Sequence, residues 1–174
     1  MKQNLGTSYG KLLKNYPDFP KTGIVFVDIM PIFGNAEALD DLIDDLSQRF
    51  HKPYFTKVAA LESRGFLIGL PLAQRWGLPF VPIRKKGKLP GKCLMAEYEL
   101  EYGIAAIEVQ AESITKDDHV LIIDDLLATG GTMNAANKMV QRITPHVENA
   151  FFIELDQLHG CRKLSVPYGA LLHL

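Results

Sequence analysis

The chain has 174 residues, 47% of them apolar and 22% charged, which suits one compact unit burying about 70% of its unfolded surface and excludes disorder as the main state. Nineteen Lys and Arg against twenty Asp and Glu leave a formal charge of −1, so there is no global pull toward nucleic acid or an anionic membrane and any electrostatic function must be local. Two cysteines, Cys93 and Cys161, stand without a nearby partner and offer neither a disulfide framework nor a tetrahedral zinc set.

The first residues, MKQNLGTSYGKLL, lack the apolar segment of a signal peptide, and the longest uncharged apolar run, residues 65–73, falls far short of the roughly 18 needed to span a bilayer. A soluble cytoplasmic protein with reduced thiols is the expectation. Residues 1–35, punctuated by Pro17, Pro20, Gly23, Pro31 and Gly34, read as an irregular N-terminal hood. Residues 36–50 place Leu39, Ile43, Leu46 and Phe50 on one helical face, with Glu37, Asp40, Asp41, Asp44 and Asp45 on a solvated one. A buried strand follows at 57–61, then a helix over 66–76 in which Pro71 either kinks a helix begun at Gly65 or sits in the first turn of a later one. Further strands are expected at 80–83, 119–123, 150–155 and 170–174, all continuous apolar runs, and a helix at 131–143 stopped by Pro145. Alternating strands and helices imply an α/β fold with a mostly parallel central sheet flanked by helices, and one domain over 1–174. In such sheets ligands bind beyond the carboxyl ends of the strands.

The strongest chemical signal is H-V-L-I-I-D-D-L-L-A-T-G-G-T-M-N, residues 119–134. A strand ends in two carboxylates, Asp124 and Asp125, followed by a turn of small residues and a helix. Ala128, Thr129, Gly130, Gly131 and Thr132 supply close backbone approach, hydroxyl donors and N–H groups at the positive end of a helix, which is what a phosphomonoester needs. A plain β–α turn explains the glycines but not the flanking threonines. Asp124 and Asp125 repel an anion at contact distance and suit vicinal hydroxyls; phosphate with a diol means ribose 5-phosphate. Neither GxxxxGK[ST] nor a strand-borne GxGxxG occurs, so ATP hydrolysis and dinucleotide binding recede.

Glu62, Ser63, Arg64 and Gly65 lie just beyond another strand. Arg64 offers a forked cation to phosphate oxygens, although a surface Glu–Arg pair reads the same. Residues 84–92, R-K-K-G-K-L-P-G-K, carry five cations and no acid, whereas residues 93–115 carry Glu97, Glu99, Glu101, Glu108 and Glu112 and no base. Without a convincing buried strand between Gly87 and Gly103, this stretch reads as a long projecting loop or ribbon of the kind that serves as a lid. An RNA-binding patch would need aromatic interleaving that is scarce here.

Together, the runs at 16–20, 23–26, 62–66, 83–91, 99–103 and 120–135 resemble the type I phosphoribosyltransferases, in particular the branch that uses adenine, over almost the whole chain. The resemblance implies that residues 124–132 bind the ribose 5-phosphate of 5-phospho-α-D-ribose 1-diphosphate (PRPP), that Glu62, Ser63 and Arg64 form the diphosphate loop, and that Val25 and Phe26 line the base pocket. Arg84, Lys85 and Lys88 would belong to a flexible catalytic loop, with Glu101 and Tyr102 on its far limb. Arg64, Lys88 and Glu101 would carry catalysis, Glu101 by orienting or taking the purine proton. The products would be AMP and diphosphate, the metal Mg2+ held mainly through PRPP, and the assembly a homodimer. Another purine base, or a PRPP-sensing module without chemistry, are the competing readings. Val27 stands where the resemblance leads one to expect arginine, which removes a cation near the substrates and predicts weaker productive binding.

Overall fold

The computed structural model describes the backbone of residues 6–100 and 103–174 and, except at 99 and 100, their side chains. The chain enters through an antiparallel hairpin of β1 (Lys14–Pro17) and β2 (Val25–Asp28), then the single-turn helix α1 (Met30–Phe33) and α2 (Ala36–Arg49). The Asn35 side chain accepts from the Ala38 N–H and caps α2. The acidic face of α2 is solvated as expected, with Glu37, Asp40 and Asp41 exposed, and it is also paired in part. Arg75 pairs with Asp40 and Asp44, Ser8 donates to Asp41, and the Tyr9 hydroxyl donates to Asp45 at 2.5 Å. These contacts tie residues 8 and 9 and the next helix to α2.

β3 (Lys57–Leu61) leads into α3 (Arg64–Trp76) and β4 (Phe80–Lys85). The helix begins at Arg64 and carries Pro71 in its interior, so of the two sequence-based alternatives the early start holds. Gly77, at φ +64°, ends it in the left-handed region. β5 (Cys93–Leu100) and β6 (Gly103–Gln110) form an antiparallel ribbon, joined to β4 through Arg84 opposite Glu108 and Lys85 opposite Ile107. The stretch expected to project as a loop or ribbon instead extends the central sheet: Ile107, Glu108 and Val109 are buried, and Leu94, Ala96 and Tyr98 of β5 pack against the core that α4 covers. β7 (Val120–Leu127), α4 (Gly131–Val140), β8 (Val147–Glu154) and β9 (Tyr168–His173) complete the chain.

The sheet order is β5-β6-β4-β3-β7-β8-β9, parallel from β4 through β9. Strand residues alternate between the two faces. Val58, Ala60, Leu121, Ile123 and Phe152 pack with α2 and α3, while Ala59, Leu61, Ile122 and Phe151 pack with α4. From β3 the chain crosses through α3 to one side and from β7 through α4 to the other, so the order reverses between β3 and β7. A crevice opens there beyond the strand ends. Among the described residues no helix is long and apolar enough to cross a membrane.

Candidate active site

Two helix starts and the end of one strand converge on this crevice. α3 begins at Arg64 directly after β3, across the Glu62–Ser63 bond, which is cis. Gly65 lets the helix start lie against β7: a Cβ there would come within 3.0 Å of both an Asp124 carboxylate oxygen and the Ile123 carbonyl. Arg64 then reaches Asp125 at 2.9 Å and lies 5.4 Å from the centre of the Phe26 ring. The hairpin, the diphosphate-loop candidate and the paired aspartates are thus brought together by one guanidinium. Phe19 meets Phe26 edge to face at 5.2 Å, whereas Val25 stays exposed.

Asp124 Oδ1 accepts the Asp125 N–H at 2.9 Å. Burial, and then the neighbouring Asp125 charge, push the Asp124 carboxyl well above the ordinary carboxylate range. Burial raises Asp125 too, opposed in part by Arg64. One guanidinium therefore serves two carboxylates, and the site has a deficit of positive charge. Hard carboxylate oxygens with such a deficit fit a divalent cation such as magnesium.

Beyond the aspartates, residues 126–133 enclose a pocket of about 90 Å³ together with Asp124 and Phe151. Gly130, at φ +73°, turns the chain into α4, whose first N–H groups have no partner inside the helix. Gly130 and Gly160 interlock: a Cβ on Gly130 would lie 2.3 Å from the Gly160 carbonyl oxygen, and one on Gly160 2.1 Å from that of Ala128. Behind the turn, Asn137 and Asn149 exchange two buried amide hydrogen bonds of 2.8 Å, fastening α4 to β8.

On the other side of the crevice, Glu62 receives Arg84 through two bonds of 3.2 Å and the Lys85 N–H at 3.0 Å. The Arg84 bond, outweighing burial, lowers its pKa. Buried Glu108 accepts the N–H groups of Lys88 and Leu89 at 2.8 Å each, and those backbone bonds hold its carboxyl below the ordinary range.

A model of the phosphoribosyl transferase domain matches residues 33–160. The adenine phosphoribosyltransferase of Methylobacillus flagellatus is 46% identical over 156 residues, 89% of either chain. Among solved structures, the Saccharomyces cerevisiae enzyme complexed with an imino-altritol bisphosphate and adenine superposes with a TM-score of 0.91 at 41% identity, covering 94% of this chain and 96% of that one. The Trypanosoma brucei enzyme in complex with AMP, pyrophosphate and ribose-5-phosphate gives 0.81 at 30% identity, covering 94% and 76%. The chain belongs to the adenine phosphoribosyltransferase family.

Within this family member the sequence-derived residues fall into three groups. Phe26, Glu62, Ser63, Arg64, Asp124, Asp125 and the turn 128–132 border the crevice. Arg84 and Lys85 stand at the rim, while Lys88 enters only through its backbone and its side chain is exposed. Glu101 and Tyr102 lie outside the described residues. Val27 points into the apolar core, 8% exposed, on the strand face opposite Phe26. An arginine would bury its charge there unless the hairpin moved, so the change has a packing consequence as well as an electrostatic one. Sequence reasoning missed Glu108 as the clamp on the basic loop and Gly160 as the backing of the turn. Glu108 had a signal, as a lone acid between Ile107 and Val109; Gly160 had none beyond being glycine.

Proposed function

We propose that this protein forms AMP and diphosphate from adenine and PRPP in purine salvage, with the whole chain, hood included, acting as one catalytic unit. The observation that carries the reading is the Arg64–Asp125 contact of 2.9 Å, which joins a cationic helix start to a diol-binding strand end on one crevice, as a substrate with phosphate at one end and diphosphate at the other requires. The reaction joins N9 of the purine to C1 of the ribose as diphosphate leaves. Positive charge develops at C1 and negative charge on the departing oxygens.

The turn 128–132 holds the 5-phosphate through N–H and hydroxyl donors, and Asp124 and Asp125 take the ribose hydroxyls. Arg64 and the backbone of 62–65 face the diphosphate. Arg84, Lys85 and Lys88 close over it and exclude water, which would otherwise hydrolyse the activated sugar. Phe26 supplies an aromatic face to the base. Magnesium, held mainly by substrate oxygens with Asp124 and Asp125 as the carboxylates on offer, would neutralise leaving-group charge. Glu101 orients or accepts the purine proton in the closed state. The protein works as a homodimer in the cytoplasm, where its phosphorylated substrate and product are retained.

The deciding experiment supplies purified protein with PRPP, magnesium and each purine base in turn and identifies the nucleotide. AMP is expected, with IMP and GMP formed far more slowly; equal use of hypoxanthine would overturn adenine as the base. Turnover of Glu101→Gln at the parent rate, with chemistry rate-limiting, would remove Glu101 from the mechanism.

A further inference from the structure

A second cluster of ligand-type side chains sits near the far edge of the sheet. Parallel pairing sets Glu154, the last residue of β8, beside His173, the last of β9. The backbone continues that lock, because Leu174 N–H donates to the Glu154 carbonyl and Asp156 N–H to the Leu174 carbonyl, both at 2.9 Å. His173 Nδ1 lies 2.9 Å from Asp156 Oδ1 and 3.7 Å from Glu154 Oε2, and one ligand atom from each of the three residues falls within 4.8 Å of the others. Strand ends fixed by ladder hydrogen bonds are rigid supports for such a set.

The independent observation is Glu154 itself. The residue is 3% exposed, and its Oε2 is the one fully buried side-chain polar atom among the described residues that has no hydrogen-bond partner. Its other oxygen has only a long contact, 3.5 Å, from the Tyr168 hydroxyl. Leaving a buried carboxylate oxygen unsatisfied is costly, and this one faces the imidazole at 3.7 Å. A tetrahedral ion with bonds of about 2.0–2.1 Å sets its ligands about 3.3 Å apart, a spacing that the 2.9 and 3.7 Å separations bracket. A pocket of about 310 Å³, bordered by Arg49, Asp156, Tyr168 and His173, gives access from solvent.

We propose that Glu154, Asp156 and His173 bind a divalent first-row transition ion, zinc in the first instance, at a site separate from the PRPP crevice. One imidazole nitrogen with two carboxylate oxygens favours such an ion over magnesium, and three protein ligands leave a fourth position for water.

The test uses chelator-stripped, full-length protein titrated with zinc alone in competition with a chromophoric chelator, with magnesium then added in excess. The expected result is one zinc per chain, retained against magnesium, with affinity lowered at least about tenfold in both His173→Gln and Asp156→Asn. Absence of saturable binding, displacement by magnesium, or parent-like affinity in both variants would overturn the site. Asp156 is exposed and His173 partly so; an unfolding midpoint for each variant separates loss of the site from loss of the fold, and Glu154→Gln adds a third measurement where it folds. The readout is binding alone and stands apart from the transferase reading.

Discussion

At Asp124, stability and function pull in opposite directions. Burial and the adjacent Asp125 raise its pKa in the folded protein, so the native state holds that proton more tightly than the unfolded chain does. Stability therefore falls as pH rises from about 4, where an unfolded aspartate titrates, through the higher folded value, and the penalty is complete above it. Asp124→Asn removes the penalty. Its melting temperature is expected to exceed the parent's at about pH 7.5, with the difference closing toward pH 4. Losing a charged acceptor for a ribose hydroxyl is worth about 1.5–3 kcal/mol, tenfold or more in kcat/KM for PRPP. A lower melting temperature at neutral pH would show that the carboxylate is not destabilising. The neighbouring turn yields a second test. At Gly130 an added Cβ meets the Gly160 carbonyl at 2.3 Å with φ at +73°, whereas at Gly131 it meets nothing within 4 Å. Gly130→Ala should cost at least about 1–3 kcal/mol in denaturant unfolding and raise KM for PRPP more than for adenine, while Gly131→Ala leaves the unfolding midpoint almost unchanged. Equal stability losses in the two would deny the interlock.

The elements of the parallel sheet are legible in sequence because a strand covered on both faces must be apolar throughout, and the runs at 57–61, 80–83, 119–123, 150–155 and 170–174 have no other simple reading. β5 and β6 escape that logic: the ribbon mixes charged and apolar residues, and alternate residues of β5, Leu94, Ala96 and Tyr98, pack against the core while the residues between them do not. β1 escapes as well, since all four of its residues are exposed. In the site, the turn 128–132 is legible because its chemistry is contiguous. The partners of Glu108 and Gly160 are not, because they lie 20 and 30 residues away and meet them only through the fold, even though the flanking Ile107 and Val109 mark Glu108 itself. The end of the sheet opposite the crevice shows what the same strands do away from the proposed substrate site. There Asp118 accepts from the Thr56 hydroxyl at 2.7 Å and the Thr115 N–H at 2.7 Å and pairs with Lys57 at 3.1 Å, tying the starts of β3 and β7. Burial raises its pKa, but the hydrogen bonds from Thr115, Thr56 and Lys57 together outweigh it and bring the carboxyl to about 2. Because the folded pKa is depressed, this stabilisation is present above the unfolded value and is lost as pH falls from about 4 to about 2. Asp118→Asn is expected to lose about 2–3 kcal/mol at neutral pH with kcat for the transferase unchanged; a large fall in kcat without loss of stability would contradict the division of labour between the two ends.

Across the whole molecule, a net charge of −1 gives a polyanionic substrate no reason to approach, so capture depends on how charge is distributed. Arg84, Lys85, Lys86 and Lys88 gather with Arg64 toward the carboxyl ends of the strands, while Glu62 and Glu108 are consumed internally by Arg84 and by loop N–H groups. That arrangement leaves Lys85, Lys86 and Lys88 exposed at the rim, a local positive field on a nearly neutral protein. Such a field acts within about 10 Å at 0.1 M salt and shrinks as salt rises. Raising KCl from about 50 to about 500 mM should therefore lower kcat/KM for PRPP several-fold while KM for uncharged adenine barely moves. In the double variant Lys85→Ala, Lys88→Ala the salt dependence should flatten and the low-salt rate should fall toward the high-salt value of the parent. A slope as steep as the parent's would assign the capture of PRPP to the fixed cation of the crevice, Arg64, and not to the basic loop.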